Sequence, residues 1–283
     1  MRKYSPIVLF TYNRLYHLKK TLSSLMMNPE SIYSDLFIFS DFPMSNKEES
    51  NVRSVRNFLK EIKGFNSVNI VEREFNFGLA KSIVDGVTEV FQHVNSVIVL
   101  EDDLVPSPYF LHYMNEALRF YKNADAVGSI HAYSYPCSSP LPDTFFLRGA
   151  DCWGWGTWKN SWNLFEENGQ ILLDKILKSE LSYQFDLDGT YPFTQMLRNQ
   201  ISGRNNSWAI RWHASMFLAN KLCLYPGKSL VKNIGFDGSG THCMQTDKFD
   251  STESDTPITI KKIKLIESSI ARNCFKEYFK DLN

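Results

Sequence analysis

Four short apolar runs separated by three amphipathic stretches occupy the first hundred residues, and this alternation limits the fold more than any other feature of the chain. Pro6–Phe10, Leu36–Phe39, Val68–Val71 and Val97–Leu100 are too short for helices and long enough for buried strands. Between them, residues 16–27 place Leu18, Leu22, Leu25 and Met26 at helical spacing. Residues 47–62 do the same with Val52, Val55, Phe58, Leu59 and Ile62, and Ala80–Phe91 follows the turn-like Asn76-Phe77-Gly78. Strands that alternate with helices fold into right-handed βαβ units around a mainly parallel sheet. An α/β architecture is therefore expected, Rossmann-like in layout and flanked by helices. No GxGxxG follows the first strand and no GxxxxGK[ST] occurs, which argues against a dinucleotide fold and a P-loop.

Ligands of such sheets bind beyond the carboxyl ends of the strands. Here those ends carry Thr11-Tyr12-Asn13-Arg14, Ser40-Asp41 and Glu101-Asp102-Asp103. Three adjacent carboxylates repel one another, and burying them is costly without a counter-charge. Two readings are open: a solvated turn beside a helix N-terminus that favours negative charge, or a cation site. Hard oxygen ligands on a short turn suit Mg²⁺ or Mn²⁺, which keep positions free for water and phosphate oxygens. Such an ion would clamp a diphosphate and stabilise it as it departs.

Downstream, Ser107-Pro108 has the pattern of a helix start, and Phe110, Leu111, Met114, Ala117, Leu118 and Tyr121 share one face. Ala126–Tyr133 is expected to be another strand. Pro136, Pro140 and Pro142 mark a loop, followed by GADCWGWGTWKNSW, which holds four of the six tryptophans. Trp158 and Trp162 are four apart and suit one helix face packed on the core. Trp153 and Trp155 alternate with Gly154 and Gly156, and a rigid indole beside flexible backbone suits the apolar face of a sugar ring. These four residues are expected to form a sugar-contact loop.

The 31 basic and 31 acidic residues cancel, so no global charge argues for nucleic acid. Five cysteines are scattered without a CxxC pair, suggesting neither zinc nor a disulfide framework. MRKYSPIVLFTYNR is too briefly apolar for a signal peptide, and no window suits a membrane span. A soluble protein of a reducing, cytoplasmic compartment is expected.

The strand order, LEDDLVPSPYF, GWGTW and FDGSGTHC together resemble glycosyltransferases of the GT-A type, over roughly residues 4–245. The likeness is closer to bacterial family-2-like sugar transferases, and extends to N-acetylglucosaminyltransferase I through its Glu-Asp-Asp turn and following helix. It implies a nucleotide-sugar donor, with UDP favoured, a glycan or lipid-linked acceptor, and Mn²⁺ or Mg²⁺. It further implies that Asp103 binds the metal directly, that Glu101 and Asp102 meet the donor, and that Thr11, Asn13 and Arg14 line the nucleotide pocket. Asp41 would face the base or ribose. NFGLAKS resembles a donor-side segment and would bring Gly78 and Lys81 close, although Lys81 equally suits a solvated helix face. Residues 1–103 then form the nucleotide-sugar half, 104–250 the acceptor half of the same domain, and 251–283 a linker and terminal helix.

Where N-acetylglucosaminyltransferase I carries its base in Trp-Asp-Asp-Trp, this chain has SWAIRWHASMF, with no acid between Trp208 and Trp212. Asp151 is the first substitute for the base and Asp237 the second; each also suits a structural turn or cap. Inversion and retention both remain open. His242, in GSGTHC, is a candidate metal or diphosphate ligand. In the last segment Leu265, Ile266, Ile270, Cys274, Phe275, Tyr278 and Phe279 form an apolar stripe opposite basic residues. That pattern suits a packed closing helix or peripheral contact with a membrane near lipid-linked acceptors. The reading is a hexosyltransferase-class enzyme of bacterial surface polysaccharide synthesis. The alternatives are a sugar-phosphate nucleotidyltransferase, whose glycine-rich first loop is missing here, and an inactive sugar-binding module.

Overall fold

A computed structural model describes residues 4–239 and 246–282. The chain runs β1 (Ile7–Thr11), α1 (Leu15–Met26), β2 (Asp35–Ser40), α2 (Glu49–Leu59), β3 (Ser67–Glu72), α3 (Gly78–Val90) and β4 (Ser96–Glu101). It continues through β5 (Leu104–Pro106), α4 (Phe110–Phe120), β6 (Val127–His131), β7 (Thr144–Arg148), β8 (Trp155–Trp158) and α5 (Lys159–Trp162). There follow α6 (Gly169–Lys178), α7 (Ser182–Phe185), α8 (Phe193–Ile201), α9 (Trp208–Leu218), β9 (Leu222–Pro226), β10 (Val231–Asn233) and α10 (Ser269–Leu282).

Eight strands form one sheet in the order β3-β2-β1-β4-β8-β6-β9-β7. The first four are parallel, β8 runs antiparallel between β4 and β6, β9 is parallel to β6, and β7 is antiparallel to β9. The expected α/β architecture with a mainly parallel sheet is thus present, and one sheet runs through both halves of the chain. All five residues of β1 are buried, as a central strand covered on both faces requires. Its side chains alternate between two cores. Ile7 and Leu9 pack with Leu18, Leu22 and Val55 on one face, while Val8 and Phe10 pack with Ile83, Val87 and Trp212 on the other.

Several local expectations change. The helix after Ser107-Pro108 starts at Phe110, because the Ser107 hydroxyl accepts from the Tyr109 amide and its carbonyl accepts from the Phe110 amide in a preceding turn. Trp158 and Trp162 share no helix: Trp158 closes β8, and Trp162 ends the one-turn α5. Leu265 and Ile266 precede α10, and with Ile270 they are exposed. Cys137 and Cys274 form a disulfide, with Cα atoms 5.8 Å apart. A separation of 137 residues leaves no spacing signature, which is why the pair was invisible in the sequence. Disulfides persist in oxidising surroundings, so cysteine usage gives no support to the reducing compartment expected above.

Candidate active site

Parallel pairing sets the strand ends level. Thr11 lies beside Ser40, and Phe10 beside Glu101. The Thr11-to-Arg14 loop, Asp41 and the acidic turn therefore meet at one edge of the sheet. Asp102 is buried and held by three groups: the Thr11 hydroxyl at 2.8 Å, the Tyr12 amide at 3.2 Å and the Arg14 guanidinium at 2.8 Å. The same Arg14 nitrogen donates to Asp103 Oδ2 at 2.7 Å. A cation of the chain itself thus sits on the acids. Burial works against the Arg14 charge, but Asp102 and Asp103 outweigh it and tighten its hold on its proton.

One guanidinium does not balance three carboxylates. Glu101 is pushed up to about 8 by loss of solvent and then by the charges of Asp103 and Asp102. Burial also raises Asp102, with Arg14 pulling the other way. The surplus negative charge is what a divalent ion would offset. No group of three His, Cys, Asp or Glu side chains among the described residues could hold an ion alone. Asp103 nevertheless has only Oδ2 committed to Arg14, and Mg²⁺ and Mn²⁺ take one or two carboxylates with phosphates and waters completing the shell. The donor set fits an ion that a diphosphate completes.

The segment of β10 and residues 234–239 closes over this turn. β10 pairs antiparallel with β5, and the Ile234 amide donates to the Asp103 carbonyl. Gly235 lies so close that an added Cβ would stand 2.2 Å from Asp103 Oδ2. Only glycine permits this approach. Asp237 Oδ2 reaches His17 Nε2 of α1 at 3.0 Å, and Asp237 Oδ1 accepts from the Ser239 amide and hydroxyl. Asp237 is thus brought to the rim as a turn residue tied to α1. His242 lies outside the described residues.

Asp41 is engaged by backbone amides. Its Oδ1 accepts from the Phe42 and Phe77 amides and its Oδ2 from the Gly78 amide, each at 2.9 Å, so it caps the start of α3 from another strand end. Gly78 takes φ +69, which suits the turn into that helix. Lys81 pairs with Asp85 along α3 and lies over the Phe77 ring, 4.7 Å from its centroid. Asn13 donates to Glu48 at 3.4 Å. Tyr12, which the sequence reading passed over, ties the same Glu48 at 2.7 Å and accepts from the Met44 amide. Burial first and Glu48 second push its phenol up to about 12.

In the tryptophan segment, β8 pairs Trp155 with Val99, and the chain bends into that strand at Trp153-Gly154, where Gly154 takes φ +65. Trp155 is 1% exposed and packs on Trp162, Trp208 and Trp212. It is a core residue, and the expected sugar contact through it is withdrawn. Gly154 and Gly156 serve packing: an added Cβ would stand 2.8 Å from Val231 and 2.9 Å from Met114. Trp153 is half-buried among Tyr133, Phe236 and Phe249. Asp151 accepts from the Tyr135 hydroxyl at 2.9 Å and from the Cys152 amide at 2.8 Å. Burial raises the Cys152 thiol strongly, and the charges of Asp151, Glu101 and Asp103 raise it further. His131 is fully buried, with Nε2 accepting from the Trp153 amide, and burial lowers its affinity for a proton.

No protein-family description and no curated protein matches the chain. Among solved structures it is similar to S. aureus TarS, at 15% identity and a TM-score of 0.34, over 53% of this chain and 25% of that one. It is similar to the mannosyltransferase PcManGT from Pyrobaculum calidifontis in complex with GDP-Man and Mn²⁺, at 14% identity and a TM-score of 0.33, over 47% and 37% of the two chains. A putative nucleotide-diphospho-sugar transferase from Desulfovibrio desulfuricans G20 aligns at 12% identity and a TM-score of 0.37, over 59% and 68%. The aligned part spans a quarter of the length of TarS.

Proposed function

We propose that the chain is a glycosyltransferase that moves a sugar from a nucleotide-diphosphate donor, UDP-linked by resemblance, to a hydroxyl of a glycan or lipid-linked acceptor. The observation that carries this reading is the acidic turn Glu101-Asp102-Asp103, set level with the ends of β1 and β2 and covered by the Gly235 segment. In this reading Asp102 is a positioning residue that fixes the first loop through Thr11, Tyr12 and Arg14. Asp103 offers its uncommitted oxygen to Mn²⁺ or Mg²⁺, whose chemistry when bound is to offset charge on the departing diphosphate. Arg14 stands close enough to Asp103 to share that charge with a donor phosphate. Asp151, oriented by Tyr135, is the carboxylate proposed to take the acceptor proton. Trp153 is the remaining aromatic proposed to meet a sugar, and Asn13 and Thr11 border the nucleotide side.

Incubation with UDP-, GDP-, CMP- and dTDP-sugars, with and without Mn²⁺, tests the reading. Release of nucleoside phosphate coupled to acceptor glycosylation is expected. Pyrophosphate chemistry would indicate nucleotidyl transfer instead. Binding without turnover would indicate a sugar-binding module. A donor that stabilises the folded protein should also raise its Tm by mass action.

A further inference from the structure

A cavity opens on the same edge of the sheet, beyond the ends of β6 and β9. β8 runs antiparallel to both β4 and β6, so β6 points the same way as β4, and β9 is parallel to β6. The cavity holds about 540 Å³, and nine of its twenty lining residues are serines or threonines. Ligand pockets typically hold roughly 300–1,000 Å³.

Three observations indicate a site and not a packing fault. First, the walls are fixed in advance. The Ser229 amide donates to the Thr252 carbonyl and the Ser254 amide to the Ser229 carbonyl, holding the 251–254 roof on the 227–229 wall. The disulfide from Cys137 to Cys274 anchors the opposite wall to α10. Second, Ser134 lines the cavity at 3% exposure, and its hydroxyl has no hydrogen-bond partner. A buried hydroxyl left without a partner is costly, and one that borders a cavity is satisfied by what enters it. Third, one residue links the cavity wall to the site already described. Tyr135 forms part of its wall and donates its hydroxyl to Asp151.

The lining also selects the ligand class. Ser and Thr hydroxyls both donate and accept, as sugar hydroxyls do. Lys228 and Lys261 stand at the cavity, but each has an acid of its own, Asp255 at 3.8 Å and Asp143 at 3.9 Å. The lysines therefore bring no surplus positive charge that would favour an anion. We propose that this cavity is a saccharide subsite that seats a neutral, polyhydroxylated sugar unit of the acceptor, away from the reacting hydroxyl. The assignment rests on the glycosyltransferase reading for the word acceptor; the saccharide-binding claim stands on the cavity alone.

The test uses the full chain with glucose, galactose, N-acetylglucosamine and chitotriose at millimolar concentration, read by saturation-transfer NMR. At least one of these probes is expected to bind. Ser134→Ala removes the unpartnered hydroxyl with almost no change of volume and should weaken that binding about three- to tenfold, the range one hydrogen bond covers. Thr259→Trp fills the cavity from its exposed roof and should abolish the signal. The Tm shift given by nucleotide sugars should be the same in both variants as in wild type. The proposal is overturned if no probe binds wild type, or if binding is unchanged in both variants. It is also overturned if Thr259→Trp removes the nucleotide-sugar shift, which would reassign the cavity to the donor. A protein that binds the saccharides through this cavity but no nucleotide sugar would keep the subsite and sink the transferase reading.

Discussion

At the scale of single residues, the acidic turn was legible because three adjacent acids at a strand end demand a counter-charge. Its built-in partner was not legible, because Arg14 lies 88 residues from Asp102 in the chain. Gly235 was equally hidden: its role appears only when β10 folds onto β5. Trp155 misled because alternation with glycine suits a sugar platform and a tightly packed strand alike. Two outcomes separate the roles of the acids. Asp103→Asn keeps the shape and removes a charged ligand, so transfer should fall by about two orders of magnitude or more while the protein stays folded. Transfer at the wild-type rate by folded Asp103→Asn, or full activity in excess EDTA, would remove the metal clamp from the mechanism. Arg14→Ala should act on stability as well as on transfer. It strips the guanidinium from a buried Asp102, and breaking such a pair costs about 3 kcal/mol, read as a lower urea midpoint. Adding Asp102→Asn to Arg14→Ala should recover part of that loss, since no uncompensated charge then remains.

At the scale of elements, the βαβ half was readable almost residue by residue because each strand is short, apolar and bounded by polar ends. The tail was readable only in part. Cys274, Phe275 and Phe279 do face the core, yet α10 begins at Ser269, which leaves Leu265 and Ile266 outside its stripe. What fixes α10 is a pair of long-range ties. Asp188, after α7, accepts from Arg272 at 2.7 Å and from Lys276 at 2.9 Å. Those hydrogen bonds hold its carboxyl down at about 2. A carboxylate depressed in the folded state contributes stability that is complete above its ordinary value near 4 and is lost as pH falls towards 2. The melting temperature of wild type should therefore drop more steeply between pH 4 and 2 than that of Asp188→Asn. Equal slopes would mean that the ties do not form. The disulfide is the second tie. Closing so long a loop restricts the unfolded chain, and Cys274→Ala should cost about 2–4 kcal/mol under oxidising conditions. If reductant leaves the wild-type urea midpoint unmoved, the bridge contributes nothing.

At the scale of the whole molecule, equal numbers of acids and bases conceal an uneven surface. Lys262 and Lys264 lie next to Leu265 and Ile266 in the strap that leads into α10, and these side chains face solvent with Ile270. Leu265 is 42% exposed, Ile266 63% and Ile270 59%. The nearby acid, Glu267, is already engaged by Arg272 and by the Arg148 amide, so it does little to cancel the lysines. No helix among the described residues is long and apolar enough to cross a membrane. A basic, apolar strap can still rest on an anionic bilayer, with the side chains entering the headgroup layer and the lysines meeting lipid phosphates. In the proposed reading, such contact would bring the sheet edge to a lipid-linked acceptor. The chain should therefore sediment with vesicles containing phosphatidylglycerol, less with pure phosphatidylcholine, and less again as salt is raised. Each lysine near such a surface contributes about 1 kcal/mol, so reversing Lys262 and Lys264 to glutamate should weaken vesicle binding by at least about thirtyfold. Transfer to a short soluble acceptor should be untouched by the same change, because the strap stands apart from the acidic turn. If the double variant sediments like wild type, or if wild type ignores lipid charge, the strap is an ordinary solvated connection and the acceptor must reach the sheet edge from solution.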